Sequence, residues 1–213
     1  VPDDVRVVGF DGTATMRTAV PELTTVQQPI ERLARTAVEL LLASIEHETA
    51  AAKAGKPARI MAKMNSLVEP SIVAALYEAS AAGVQIDLVV RGICVLRPGV
   101  PGLSDNIRVR SIIGRLLEHA RVFYFENHGH SKVWISSADW MGRNLFRRVE
   151  TCVPVENPPL KARIIREAFT LALADNQRAW LMQPDGSYVR AEAQDNTAKI
   201  NLQDTLLHEY EQH

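Results

Sequence analysis

The chain has 213 residues, with 24 Lys and Arg against 25 Asp and Glu, six His, two Cys and 46% apolar residues. A chain of that length forms one large or two small domains and buries about 70% of its unfolded surface, so it requires neither a disulfide framework nor a structural metal. The charge balance argues against a protein that coats nucleic acid through overall basicity, and no nucleic-acid partner is expected; it leaves local patches open.

No run approaches the roughly 18 to 20 uncharged apolar residues of a membrane span, and Val1-Pro2-Asp3-Asp4 lacks the architecture of a signal peptide. A cytoplasmic chain without a membrane span is the expectation, and a start at Val1 rather than Met suggests truncation. Cys94 and Cys152 stand far apart without metal-ligand spacing, which predicts two buried thiols and no metal site.

In chain order, residues 5 to 10 read as a buried strand turning at Asp11-Gly12. From Ile30, apolar residues at Leu33, Ala34, Ala37, Val38, Leu41 and Ile45 recur at helical spacing behind Pro29, and Gly55 and Pro57 end that helix. Beyond it strands and helices alternate: a strand over 59–64, a helix over 70–82 closed by Gly83, and a β-branched strand over 84–90 running into Arg91-Gly92. Two prolines and two glycines make 97–102 a loop. Strand and helix signals mix over 107–118, where the reading favours a helix from about Ser111 to Glu118, with His119 at its end.

Residues 121–126 and 132–136 flank Asn127-His128-Gly129-His130-Ser131 as a β-hairpin, which puts His128 and His130 in an exposed tip and makes His130-Ser131-Lys132 a decoy. A strand over 149–155, a long amphipathic helix from Asn157-Pro158-Pro159 to Ala174 and a small hairpin around Pro184-Asp185-Gly186 follow. The tail from Glu192, five acids to one lysine, reads as a solvated terminal helix. The fold class is therefore α/β: a mixed sheet flanked by helices, with an extra N-terminal strand-loop-helix segment.

Net neutrality conceals an asymmetry. Arg91, Arg97, Arg108, Arg110, Arg115 and Arg121 face only Asp105 and Glu118 in the same stretch, and no lysine occurs between Lys63 and Lys132. A planar guanidinium is the side chain that grips phosphate bidentately. Arg91 follows the end of a strong strand, where α/β sheets place ligand-contacting groups. His119-x-Arg121, then Glu126, then Ser136-Ser137-Ala138-Asp139 is similar to the phospholipase D-like pattern of His-x-Lys, an Asp, and Gly-Ser-x-Asn, with Arg121 for lysine and Glu126 for aspartate. In such a pattern histidine serves as nucleophile or acid/base, the cation meets phosphate, and the small Ser136-Ser137 turn admits the phosphoryl group.

Longer motifs carry a more specific likeness. Ala58 to Val68, Val89-Val90-Arg91-Gly92-Ile93-Cys94, Leu96 to Gly102, Ser104-Asp105-Asn106-Ile107-Arg108 and Ser136 to Asn144 together resemble the C-terminal, phospholipase D-like domain of bacterial polyphosphate kinase, from about Ser44 to the end. The resemblance implies reversible transfer of the ATP γ-phosphoryl group to inorganic polyphosphate through a phosphohistidine, with ATP/ADP and polyphosphate as partners and a homo-oligomer in the full-length family. It assigns ATP-phosphate binding to Arg91 and a second catalytic histidine to His119, with Arg121, Ser136 and Ser137 beside them. It also implies Mg2+, whose ligands belong, with the phosphorylated histidine, to upstream regions that this sequence does not match.

Upstream, Pro2 to Asp11, Leu23 to Ile30 and Ala37 to Leu42 resemble the C-terminal end of LacI-type transcription regulators, over residues 1–46. There an aspartate at the position of Asp11 would contact a sugar or purine effector. The organisation expected is a regulator segment over 1–46 and a kinase domain over 47–213, a chimera joined inside one amphipathic helix. A regulator fragment and a phospholipase D-like phosphodiesterase are the alternative functions.

Overall fold

The computed structural model describes residues 9–10, 25–26, 30–193 and 197–212. Gly9–Phe10 (β1) and Thr25–Val26 (β2) form a small parallel pair, followed by helix α1, Ile30–Lys53. One eight-stranded sheet holds Arg59–Met64 (β3), Gln85–Val90 (β4), Ile107–Ile112 (β5), Val122–Phe125 (β6), Lys132–Ser136 (β7), Cys152–Pro154 (β8), Ala179–Met182 (β9) and Tyr188–Arg190 (β10). Its order is β10-β9-β5-β4-β3-β6-β7-β8, with β3, β4 and β5 parallel and the remaining pairs antiparallel.

Side chains two apart along each central strand share a face, and both faces are covered. Ile60, Ala62 and Met64 of β3 and Ile86, Leu88 and Val90 of β4 pack with Val38 and Ile45 of α1 and with Ile72, Leu76 and Ala79 of α2, Pro70–Ala81; Leu145 of α3, Gly142–Arg147, closes that core. The other face carries Met61, Val122 and Tyr124 against Ala168 and Phe169, and Val89 and Ile112 against Ala172 and Leu202. The helix on that face runs unbroken through α4, Pro158–Ile165, a π-helical turn, Arg166–Thr170, and α5, Leu171–Ala174; α6, Leu202–Glu211, lies beside it. Burial on both faces explains why β3 and β4 read as near-continuous apolar runs, with each fully buried Leu or Ile contributing about 1.5–3 kcal/mol.

Helix α1 is fixed to the sheet by one carboxylate. Glu48 is fully buried and accepts from the backbone N–H groups of Arg59 at 3.1 Å and Asn127 at 2.6 Å. It thus ties the helix to the start of β3 and to the β6–β7 turn.

Several expectations are corrected. Ser111 to Glu118 is not a helix: strand β5 occupies Ile107–Ile112, because Ile107, Val109 and Ser111 are buried on one face and Ile112 on the other, a period of two that fits the slot between β4 and β9. His119 consequently stands on a loop. The tail is not merely solvated, since Leu202 and Gln203 are buried where α6 docks. Cys152 is exposed on β8, an edge strand with no cover, and Cys94 is only half-buried.

Candidate functional site

Topology brings distant residues to one sheet edge. β3 and β4 end side by side at Met64 and Val90, so Asn65 and Arg91 emerge together. β6 runs the other way with Val122 opposite Lys63, which starts it at that edge and places Arg121 there; β7 returns with Ile135 opposite Val122 and delivers residues 136–139 to the same place. The carboxyl ends of parallel strands are where α/β sheets hold ligands.

A hydrogen-bond network connects these groups. The Nε of Arg91 donates to Asn65 Oδ1 at 2.9 Å. Asp139 Oδ1 accepts from Asn65 N at 2.7 Å, Asn65 Nδ2 at 3.2 Å, Ser66 N at 3.3 Å and Arg121 Nε at 3.1 Å, while a terminal nitrogen of Arg121 donates to Asp139 Oδ2 at 3.1 Å. Burial pushes the Asp139 carboxyl up, but the Arg121 and Asn65 donors together outweigh it and hold the group below the usual carboxylate range. The remaining terminal nitrogen of Arg121 donates to the His119 backbone carbonyl at 3.3 Å and lies 3.4 Å from His119 Nδ1. Arg91 and His119 are exposed and Arg121 is half-buried.

Gly92 is required by this geometry. Its N–H donates to Asn65 O at 2.7 Å, and a Cβ there would lie 2.9 Å from the same backbone oxygen. Only a residue without Cβ lets the exit of β4 press against Asn65.

The loop carrying His119 is clipped from two sides. Gln203 of α6 accepts from Leu116 N at 2.8 Å and donates to Leu116 O at 2.8 Å and Glu118 Oε1 at 2.6 Å. Lys63 of β3 donates to Glu118 Oε2 at 2.7 Å, a pair in which both side chains are largely buried. A Cβ at Gly114 would lie 2.4 Å from Gln203 Oε1, so the loop passes close beneath that amide.

Ser136 and Ser137 reach the same edge with their hydroxyls engaged. Ser136 Oγ donates to Thr151 O and accepts from Ala138 N, both at 3.0 Å; Ser137 Oγ bonds Glu150 and accepts from Thr151 N at 2.9 Å. Of the other arginines, Arg110 donates to Ala172 O and Leu173 O at the end of α5, and burial lowers its pKa. Glu126 is carried along β6 to the opposite edge, about 16 Å from Arg121 at strand rise, and accepts from Tyr124 there at 2.5 Å. His128 and His130 are exposed in the hairpin turn, and Asp11 lies outside the described residues.

Among the described residues no group of three or more His, Cys, Asp or Glu could hold a metal ion; at this edge Asp139 and Glu118 already face Arg121 and Lys63, and Glu150 is bonded to Ser137 and Asn144. These residues do not fit a Mg2+ site.

Sequence reading missed Asn65 and Asp139 as members of the site, although both lie inside the motifs quoted above. Lys63, Glu118 and Gln203 were missed as its supports. Asp139 carries a signal, since it replaces the Asn of Gly-Ser-x-Asn while Arg121 replaces the Lys. Gln203 carries none, because its partners are more than eighty residues away.

A cationic sheet edge with an adjacent histidine defines an α/β domain suited to gripping phosphate. Residues 34–203 match the family described as polyphosphate kinase C-terminal domain 2, and the chain belongs to that family. A polyphosphate kinase of Neisseria gonorrhoeae is 57% identical over 199 residues, covering 91% of this chain and 29% of the relative. One of Burkholderia vietnamiensis is 60% identical over 153 residues, covering 72% of this chain and 22% of the relative. The crystal structure of polyphosphate kinase from Porphyromonas gingivalis superposes with a TM-score of 0.77 at 39% identity, covering 81% of this chain and 26% of that one. The chain thus spans less than a third of the length of these relatives.

Residues 1–63 also match a periplasmic binding protein-like domain. The two matches overlap over 34–63, on α1 and β3. No helix among the described residues is long and apolar enough to cross a membrane.

Proposed function

We propose that this chain supplies the C-terminal, phosphate-gripping part of a polyphosphate kinase, an enzyme reversibly transferring the γ-phosphoryl group of ATP to inorganic polyphosphate through a phosphohistidine. The observation that carries this reading is the convergence of Arg91, His119 and Arg121 on one edge of a domain of that family. Phosphoryl transfer demands mostly positioning and stabilisation of spreading negative charge. The terminal nitrogens of Arg91 would meet non-bridging oxygens, and Arg121, whose nitrogens face Asp139 and His119, would add positive charge behind them. His119 would hold or move a proton at the oxygen that leaves or attacks. Ser136 and Ser137 would contribute by closing the turn behind the phosphate, their hydroxyls exchanging partners if they bind it directly.

By the same reading the histidine that carries the phosphoryl group, and the Mg2+ ligands, lie outside these residues. The working complex is a cytoplasmic homo-oligomer. Residues 1–46 are the end of a LacI-type regulator joined through α1, which the match over 1–63 supports, with 47–213 as the kinase domain. The family match does not favour an effector-responsive regulator or a phosphodiesterase as the chain's function.

Calorimetric titration of the purified chain with ATP and with tripolyphosphate tests this. Saturable binding is expected, weakened at least tenfold in Arg91→Ala and several-fold in His119→Ala. Equal affinity in both variants would remove these residues from the site.

A further inference from the structure

We infer that Asp139 is a positioning residue that sets two arginines for one phosphate chain: it holds Arg121 directly, and it aims Arg91 through the side-chain amide of Asn65. The inference deepens the phosphate-binding reading of this edge and rests on it.

A carboxylate accepts hydrogen bonds and cannot donate, whereas a guanidinium donates and cannot accept. Asn65 stands between one of each. Its side-chain amide therefore has a single orientation that satisfies both neighbours: Nδ2 toward Asp139 at 3.2 Å and Oδ1 toward the Arg91 Nε at 2.9 Å. Turning the amide over would set N–H against N–H on one side and oxygen against carboxylate on the other. Asp139 is 5% exposed and also holds the backbone N–H groups of Asn65 and Ser66, so the amide it orients belongs to a fixed stretch of chain.

The geometry selects which nitrogens remain available. Arg91 uses Nε internally, and its terminal nitrogens make no hydrogen bond to the described residues. Arg121 presents Nε and one terminal nitrogen to Asp139 and turns the other toward His119. Two like charges are thereby held at one edge with a carboxylate between them, and the sum of the three leaves one positive charge for a ligand. Without Asp139, mutual repulsion would drive the guanidinium groups apart. The residue before Asp139 is the small, buried Ala138, and the next, Trp140, is buried and donates its backbone N–H to Ser66 O at 3.2 Å; the carboxylate is placed by packing as well as by its own bonds.

Two readouts on the purified chain test the relay: tripolyphosphate affinity by calorimetry, and solvent exchange of the Arg91 Nε–H by NMR in the ligand-free protein. Asp139→Asn is expected to weaken binding at least tenfold and to speed that exchange at least tenfold. Asn65→Ala, which leaves the Asp139–Arg121 pair in place, is expected to speed the exchange equally and weaken binding three- to tenfold. In an Arg91→Ala background, Asn65→Ala should cost less than twofold, because nothing is left for it to aim. Unchanged Arg91 exchange in Asn65→Ala, or a full loss on top of Arg91→Ala, would overturn the relay, and this variant decides the matter if Asp139→Asn does not fold. Absence of tripolyphosphate binding by the wild-type chain would overturn the phosphate reading instead, while the exchange rates still judge the relay.

Discussion

Two polar clusters share one edge of the sheet and differ in what they leave over. Around Asp139 the bonding leaves donors over: the carboxylate orients Asn65, Asn65 takes the Nε of Arg91, and the terminal nitrogens of that guanidinium bond none of the described residues. Around Ser136 and Ser137 the hydroxyls close on Thr151, Glu150 and Ala138, and the bonds fasten β7 to the segment before β8. Residue types suited to phosphate occur in both clusters. What separates them is whether the surrounding donors and acceptors are already matched, which composition and spacing do not report.

The sharpest way to break this contrast is at Gly92. Gly92→Ala places a Cβ 2.9 Å from the Asn65 backbone oxygen that already accepts the N–H of residue 92. It should displace Asn65 from Arg91, abolish measurable anion binding and lower stability by about 1–3 kcal/mol, read by denaturant unfolding. Retained binding would show that the Arg91 direction does not depend on this contact.

Next is Gln203→Ala, which removes the clip on residues 116–118 while leaving every residue of the edge intact. It should weaken tripolyphosphate binding about three- to tenfold and raise amide exchange at 114–119, at a stability cost of about 1–3 kcal/mol for the unsatisfied partners. The pH dependence of stability gives a smaller effect with a definite sign. The Asp139 carboxyl is held below its ordinary value in the folded state. Its contribution is therefore complete above the unfolded pKa of about 3.9 and is lost as pH falls through the lower folded value. The stability gap between the wild type and Asp139→Asn should be constant from pH 7 to about 5 and narrow below about 4. A gap that widened on acidification would contradict the assigned direction.

Smallest is Ser137→Ala, expected to cost about 1 kcal/mol of stability through the lost bonds to Glu150 and Thr151, with less than a twofold change in anion affinity. A larger loss of affinity would place the serine hydroxyl on the ligand and erase the distinction between the clusters.

Much of this architecture was legible in the residues. Apolar runs and breakers located β3, α2, β4, the β6–β7 hairpin and the long helix, because each satisfies its own local period and has a Gly or Pro beside one end or in its turn. Strand β5 was misread since Ile112, Ile113, Leu116 and Leu117 supply a helix-like spacing, whereas Ile113, Leu116 and Leu117 are exposed on the loop that follows. That Arg91, His119 and Arg121 meet at one edge was legible because strand ends and a motif marked them. The supports were not, since Gln203 acts across a sheet and Asp139 matters through an amide whose orientation only a three-dimensional network fixes.

By the function proposed, one edge of the sheet, and no other cationic surface, receives the phosphate chain. An NMR titration of the labelled chain with tripolyphosphate tests it most directly. Saturating shifts should centre on the amides of Asn65, Ser66, Arg91, Gly92 and Asp139 and on the 119–121 segment. Shifts centred instead on the open basin that Arg178, Arg190, Lys199 and His208 line near α6 would contradict the account.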